Sequence, residues 1–293
     1  MEDAFVRIVI YIKDSYICRL MQKMRISGLF LVVIGAILLS SCSKFRKIQK
    51  SEDWRLKYDA AMEYYEQEKY YKANILFDQI LPIIRGTKEA EKANFYYSYT
   101  YFYQRQYILS ANYFKQFATI YSRSEYAKEA QFMHAYSLFL QSPDYNLDQS
   151  STFEAITALQ AFINRYPYDE FAERATGIID DMQRKLEKKA YENAVQYYRL
   201  GRYKAANVAF INFERDFPDS KLNEEIAYLA VDSKFQLAKL SILSKQEERY
   251  LKTVELYEKF VDKYPNSEFL KKAENLYGDS LDALERIRRK DNI

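Results

Sequence analysis

The chain has 293 residues, with 44 basic and 41 acidic side chains and a formal net charge of +3. That near balance argues against nucleic acid or an acidic membrane surface as an electrostatic partner. Only two cysteines, Cys18 and Cys42, leave no material for a disulfide framework or a cysteine-based metal site. Six glycines and five prolines, set beside 29 tyrosines and 19 phenylalanines, predict helix nearly throughout.

From the amino terminus, Lys23 and Arg25 precede an apolar run over residues 26–39. It is shorter than the roughly 17 residues that span a bilayer core, so it reads as a signal segment rather than a permanent membrane helix. The run ends in Leu39-Ser40-Ser41-Cys42, which resembles the lipobox of bacterial lipoproteins. The resemblance implies cleavage before Cys42 and acylation of that cysteine, and two acyl chains meet the two-signal requirement for stable anchoring. Residues 1–41 are therefore expected to be upstream residues plus a signal peptide. Glu2 and Asp3 sit awkwardly ahead of such a signal, which puts the expected start at Met21 or Met24. Residues 42–52 are expected to be the lipidated cysteine and a flexible, basic tether.

An internal repeat organises the rest. Tyr70, Ala73, Phe77, Ile80 and Ile84 form its first copy, and Tyr107, Ser110, Phe114, Phe117 and Tyr121 its second. Thr152, Ala155, Leu159, Phe162 and Tyr166 form the third. Tyr203, Ala206, Phe210, Phe213 and Phe217 form the fourth, and Tyr250, Thr253, Tyr257, Phe260 and Tyr264 the fifth. Steps of three and four mark one helix face. Pro167, Pro218 and Pro265 stop the last three copies. A partner helix precedes several copies, with a small residue and then tyrosine at Ala61 and Tyr64, Ser98 and Tyr101, and Ala194 and Tyr197. These tyrosines are expected to wedge between helices. The pattern is similar to the tetratricopeptide repeat, which implies an all-α, right-handed superhelix of about five helix-turn-helix units. Longer spacings between later copies are assigned to insertions, such as Ser142 to Asn146, and to lengthened helices.

Catalytic chemistry finds little support. His134 reads as a packing residue, because no second ligand or nucleophile stands at motif spacing. Asp180-Asp181, Glu224-Glu225 and Glu247-Glu248 point in different directions on a helix and read as solvated charges. No phosphate loop or nucleophile elbow is present, so neither an enzyme nor a cofactor is expected.

The repeat resemblance also places the first helix of each pair on a concave face. Tyr58 and Tyr65 of copy one, with Phe95, Tyr99, Phe102 and Tyr103 of copy two, then line a groove suited to an extended or helical peptide. The lipobox, the tether and the five copies together resemble the BamD family of outer-membrane β-barrel assembly lipoproteins. Ser142-Pro143-Asp144-Tyr145-Asn146 and Phe162-Ile163-Asn164-Arg165-Tyr166-Pro167 carry the likeness, as do Ala194-Val195-Gln196-Tyr197-Tyr198 and Phe217-Pro218-Asp219-Ser220. It implies a lipid-anchored outer-membrane protein facing the periplasm, and Ser43 in place of aspartate after Cys42 permits that export. Repeats over 53–124 would receive the carboxyl-terminal signals of unfolded barrel proteins. Repeats over 125–290 would dock a BamA-like barrel subunit beside other assembly subunits. Ala209 stands where some members carry a basic contact residue, so that contact is not expected. The residues leave open a repeat lipoprotein that adapts peptidoglycan enzymes or serves another envelope assembly, and a carbohydrate-uptake lipoprotein.

Overall fold

A computed structural model describes residues 44–291; the signal segment, the start at Met21 or Met24, and Cys42 lie outside them. The long elements described are all α-helices: α1 (Trp54–Glu66), α2 (Tyr70–Ile80), α3 (Lys88–Tyr103), α4 (Tyr107–Ile120), α5 (Ala127–Gln141) and α6 (Ser150–Arg165). They continue with α7 (Glu170–Arg199), α8 (Tyr203–Asp216), α9 (Asn223–Lys239), α10 (Leu243–Lys263) and α11 (Leu270–Asp291). In chain order α1 with α2, α3 with α4, α7 with α8 and α9 with α10 pack as pairs. The described residues are all-α and built of tetratricopeptide-like repeats. It divides into two compact units between Ser137 and Leu138, inside α5, whereas the expected boundary followed residue 124. In unit 1, α1 packs on α2, α2 on α3 and α3 on α4. In unit 2, each helix from α6 to α11 packs on the next.

The five small residues of the repeat explain this packing. Ala73, Ser110, Ala155, Ala206 and Thr253 are all 0% exposed, since a short side chain at that position lets helix backbones close on one another. Phe77, Phe114 and Phe210 fill the space one turn later, and each is buried. Tyr257, in the matching place of copy five, instead stacks on Tyr277 at 4.5 Å. The terminal aromatics stop their helices: Tyr166, Phe217 and Tyr264 all have φ near −131° and ψ near 62°, outside the helical region that a following proline disfavours. Polar side chains tie some second helices to the next first helix. Asn74 donates to Thr100 at 2.7 Å, and Asn207 donates to Ser233 at 2.8 Å.

Two expectations change. The tether is not wholly flexible, because residues 44–49 form a short helix. Phe45 packs edge-on against Tyr64 at 5.7 Å, and Ile48 joins the same core. These two apolar residues lie one turn apart among Lys44, Arg46, Lys47 and Lys50, whose charges made the stretch read as polar. Tyr197 does not wedge between helices and is 45% exposed. Tyr64, at the same place in copy one, is buried because Phe45 covers it.

The insertion before copy three is built rather than loose. The buried Gln149 amide donates to the carbonyls of Asp144 at 2.8 Å and Leu147 at 3.0 Å, and its oxygen accepts from Thr152 at 2.7 Å. From α7, Lys185 donates to the Pro143 carbonyl at 2.9 Å and Lys189 to the Leu147 carbonyl at 2.7 Å. Lys188 lies over the Tyr145 ring at 4.4 Å. Gln149→Ala strips these partners at once and is expected to cost about 1–3 kcal/mol. Urea denaturation should show the loss, with faster amide exchange confined to the insertion and the start of α6.

Candidate protein-binding surface

Helix α1 starts on an Asp53 cap, whose carboxylate accepts from the backbone N–H of Arg55 at 2.9 Å and of Leu56 at 3.2 Å. This fixes Tyr58 and Tyr65, two turns apart, on one side of the helix. Helix α3 sets Phe95, Tyr99 and Phe102 at helical spacing, with Tyr103 beside them. Four of the six expected residues come together. Tyr65 lies 6.2 Å from Tyr103, and Tyr103 stacks on Tyr99 at 5.7 Å. Phe102 adjoins Tyr99 at 6.2 Å and Tyr103 at 5.6 Å, extending the group.

Phe95 is a correction. It is 3% exposed, with its ring stacked on Tyr126 at 4.5 Å and packed on Phe117 at 5.4 Å. It belongs to the core and presents nothing to a ligand. Tyr58 also stands apart, beside the Arg55 guanidinium at 5.9 Å. Arg55 in turn pairs with Glu89 at 2.7 Å. Two tyrosines not expected in the groove complete the surface. Tyr70 stacks face to face on Tyr103 at 4.4 Å, and Tyr96 meets Tyr65 edge-on at 4.7 Å. Tyr70 opens copy one, which was signal enough to include it.

The result is a partly buried ledge of rings, with Tyr103 the most open at 47%. Burial, followed by the neighbouring Tyr103, pushes the Tyr65 phenol far above its ordinary pKa. Burial likewise raises Tyr99, whose hydroxyl donates to the Glu129 carboxylate. Both therefore stay protonated at neutral pH.

Unit 2 offers an internal control. Tyr65, Tyr70, Asn74 and Thr100 recur at a constant offset as Tyr198, Tyr203, Asn207 and Ser233, with like contacts: Tyr65 to Tyr70 is 5.5 Å and Tyr198 to Tyr203 is 5.8 Å. At the same offset Asp232 replaces Tyr99, Gln236 replaces Tyr103 and Leu229 replaces Tyr96. Tyr198 donates to Asp232 at 2.5 Å, and Gln236 donates to it at 2.9 Å. Repeat packing thus proceeds without three of the five rings of the ledge, those of Tyr96, Tyr99 and Tyr103.

The other side chains considered for chemistry are engaged elsewhere. His134 donates through Nδ1 to the Ala111 carbonyl at 2.9 Å. Glu225 accepts from Tyr191 at 2.8 Å, Glu247 from Arg288 at 2.9 Å and Glu248 from Lys252 at 2.8 Å, so neighbouring carboxylates do not act together. Among the described residues no cluster of His, Cys, Asp and Glu could hold a metal ion, and no helix is long and apolar enough to cross a membrane.

Helices packed in sequence with this repeat of buried small and aromatic residues define a tetratricopeptide-like repeat fold. The family described as YfiO, outer membrane lipoprotein, matches residues 51–206 and 183–284, and the chain belongs to it. No curated protein matches the chain.

Proposed function

We propose that this protein is a non-enzymatic scaffold and receptor of an outer-membrane β-barrel assembly complex, held by lipid on Cys42 with its body on the periplasmic side. Unit 1 receives the aromatic carboxyl-terminal signals of unfolded barrel proteins, and copies four and five dock a BamA-like subunit. Membership of an outer-membrane lipoprotein family supports this reading. The observation that carries it is the aromatic ledge of Tyr65, Tyr70, Tyr96, Tyr99 and Tyr103, most of whose rings the equivalent helices of unit 2 do without. Rigid rings supply contact area at small entropic cost, and such residues dominate binding energy where they cluster.

The test substitutes what unit 2 already tolerates, Tyr96→Leu together with Tyr103→Gln. Affinity for a peptide ending in a barrel protein's aromatic signal should fall about tenfold or more, which corresponds to about 1.4 kcal/mol. Helicity and capture of the barrel subunit should be unchanged. Unaltered peptide affinity would remove the ledge from the mechanism.

A further inference from the structure

Helices α8 and α10 both lie against α9, and between them opens a cleft of about 460 Å³. That volume is within the range of small-ligand sites, roughly 300–1,000 Å³. Its floor is apolar, formed by Phe210, Ile226 and Phe260, each 2% exposed, with Ala230 and Leu256. Ile211 stands at its edge and is 65% exposed.

The offset that relates the two units shows how the cleft arises. Tyr97 of unit 1 becomes Ala230, Tyr101 becomes Lys234 and Asp78 becomes Ile211. In unit 1 the corresponding place is filled. Tyr97 donates to Asp78 at 2.9 Å, its hydroxyl lies 2.8 Å from that of Tyr101, and Tyr101 stacks on Tyr113 at 4.9 Å. Unit 2 has lost two of those rings and the carboxylate, and has gained a cation.

That cation is unmatched. Around the cleft Lys259 pairs with Glu255 at 2.7 Å, Lys263 with Glu214 at 2.5 Å and Lys252 with Glu248 at 2.8 Å. Lys234 has no ion pair or hydrogen bond among the described residues. Burial, and then the charges of Lys252 and Arg249, push its pKa below the usual lysine value. A half-buried ammonium facing like charges is costly, and an anion arriving beside it would relieve the cost.

We infer that this cleft binds an aryl carboxylate, with the ring on the Phe210–Phe260 floor and the carboxylate on the Lys234 ammonium. The ring takes the place that Tyr97 and Tyr101 occupy in unit 1. A free aromatic acid and a chain-terminal aromatic residue share this chemistry. The site lies in unit 2 and does not depend on the reading of the ledge.

The full chain in detergent is titrated with 4-phenylbutyrate, with 4-phenylbutanol, and with an acetylated dipeptide ending in phenylalanine as free acid or amide. Calorimetry or ligand-observed NMR gives the affinities. Each acid should bind about tenfold or more tighter than its uncharged partner, as a charge-assisted contact requires. Lys234→Gln should erase that difference. Ala230→Tyr with Lys234→Tyr, which rebuilds the filling of unit 1, should abolish binding while circular dichroism stays native. The better of the two acids identifies the source, and binding of either supports the site. Equal affinity for acids and uncharged partners, failure of both acids to bind, or full affinity in Lys234→Gln would overturn it.

Discussion

Phe114→Ala is expected to cost unit 1 about 3–5 kcal/mol, the usual price of removing a wholly buried ring from a close-packed core. Phe114 is 0% exposed and meets Tyr99 edge-on at 4.9 Å and Phe95 at 6.1 Å, so its loss opens a cavity beneath the aromatic ledge itself. A domain's whole stability is typically about 5–15 kcal/mol, so this one change removes a large share. In a repeat array each helix pair leans on its neighbours, which keeps the damage local. Native-state hydrogen exchange should therefore show protection lost over α3 and α4 while α8 and α9 retain theirs. Uniform loss along the chain would contradict stability built from neighbouring pairs. Tyr103→Ala makes the contrast, because nearly half of that ring already faces solvent. It should weaken peptide binding while costing stability much less than Phe114→Ala.

Why the fold was legible, and the surface only partly, follows from what each depends on. The repeat period depends on residues that every copy must bury, so Ala73, Ser110, Ala155, Ala206 and Thr253 announce themselves at fixed spacing. Helix ends were equally plain, because Pro167, Pro218 and Pro265 act on the residue before them whatever surrounds it. Position on the ledge depends on helix rotation, and one residue of phase is about 100°. That is why Phe95 was expected in the groove while its neighbour Tyr96 occupies it. Cover by another element is also invisible in a repeat pattern. Tyr64 and Tyr197 are the same residue in the same motif, and only the short helix carrying Phe45 separates their fates. The cleft beside Lys234 was readable in principle. It requires copy five to be set against copy two residue by residue, since the informative fact is that Tyr97 and Tyr101 are missing from their expected places.

Alkaline pH should unfold the protein through its tyrosines. Burial is the first cause that raises the phenols of Tyr65, Tyr97, Tyr99 and Tyr198, and it pushes Tyr191 up to about 12. A phenol whose folded pKa exceeds its unfolded value of about 10 binds its proton more tightly in the native state. The stability it contributes is therefore fully present below about pH 10 and is lost as pH rises toward the folded value. A fully shielded tyrosine steepens that decline by about 1.4 kcal/mol per pH unit, and these half-buried rings give less, but several titrate together. Lysine titration overlaps the window, yet the ion pairs it removes, such as Lys252 with Glu248 and Lys259 with Glu255, are exposed and contribute little. Helicity should accordingly hold to about pH 10 and fall between about 10 and 12, with tyrosinate absorption rising in step with the loss. Tyr97→Phe sharpens the test. Deleting its hydroxyl frees Asp78 and Tyr101 of a partner and should lower neutral-pH stability by about 1 kcal/mol. The same variant has one proton fewer to lose on unfolding, so its alkaline decline should be shallower than that of the unmodified chain. Tyrosinate absorption that rises while helicity stays constant would show the rings to be solvated and the interhelix packing of their hydroxyls to be energetically empty.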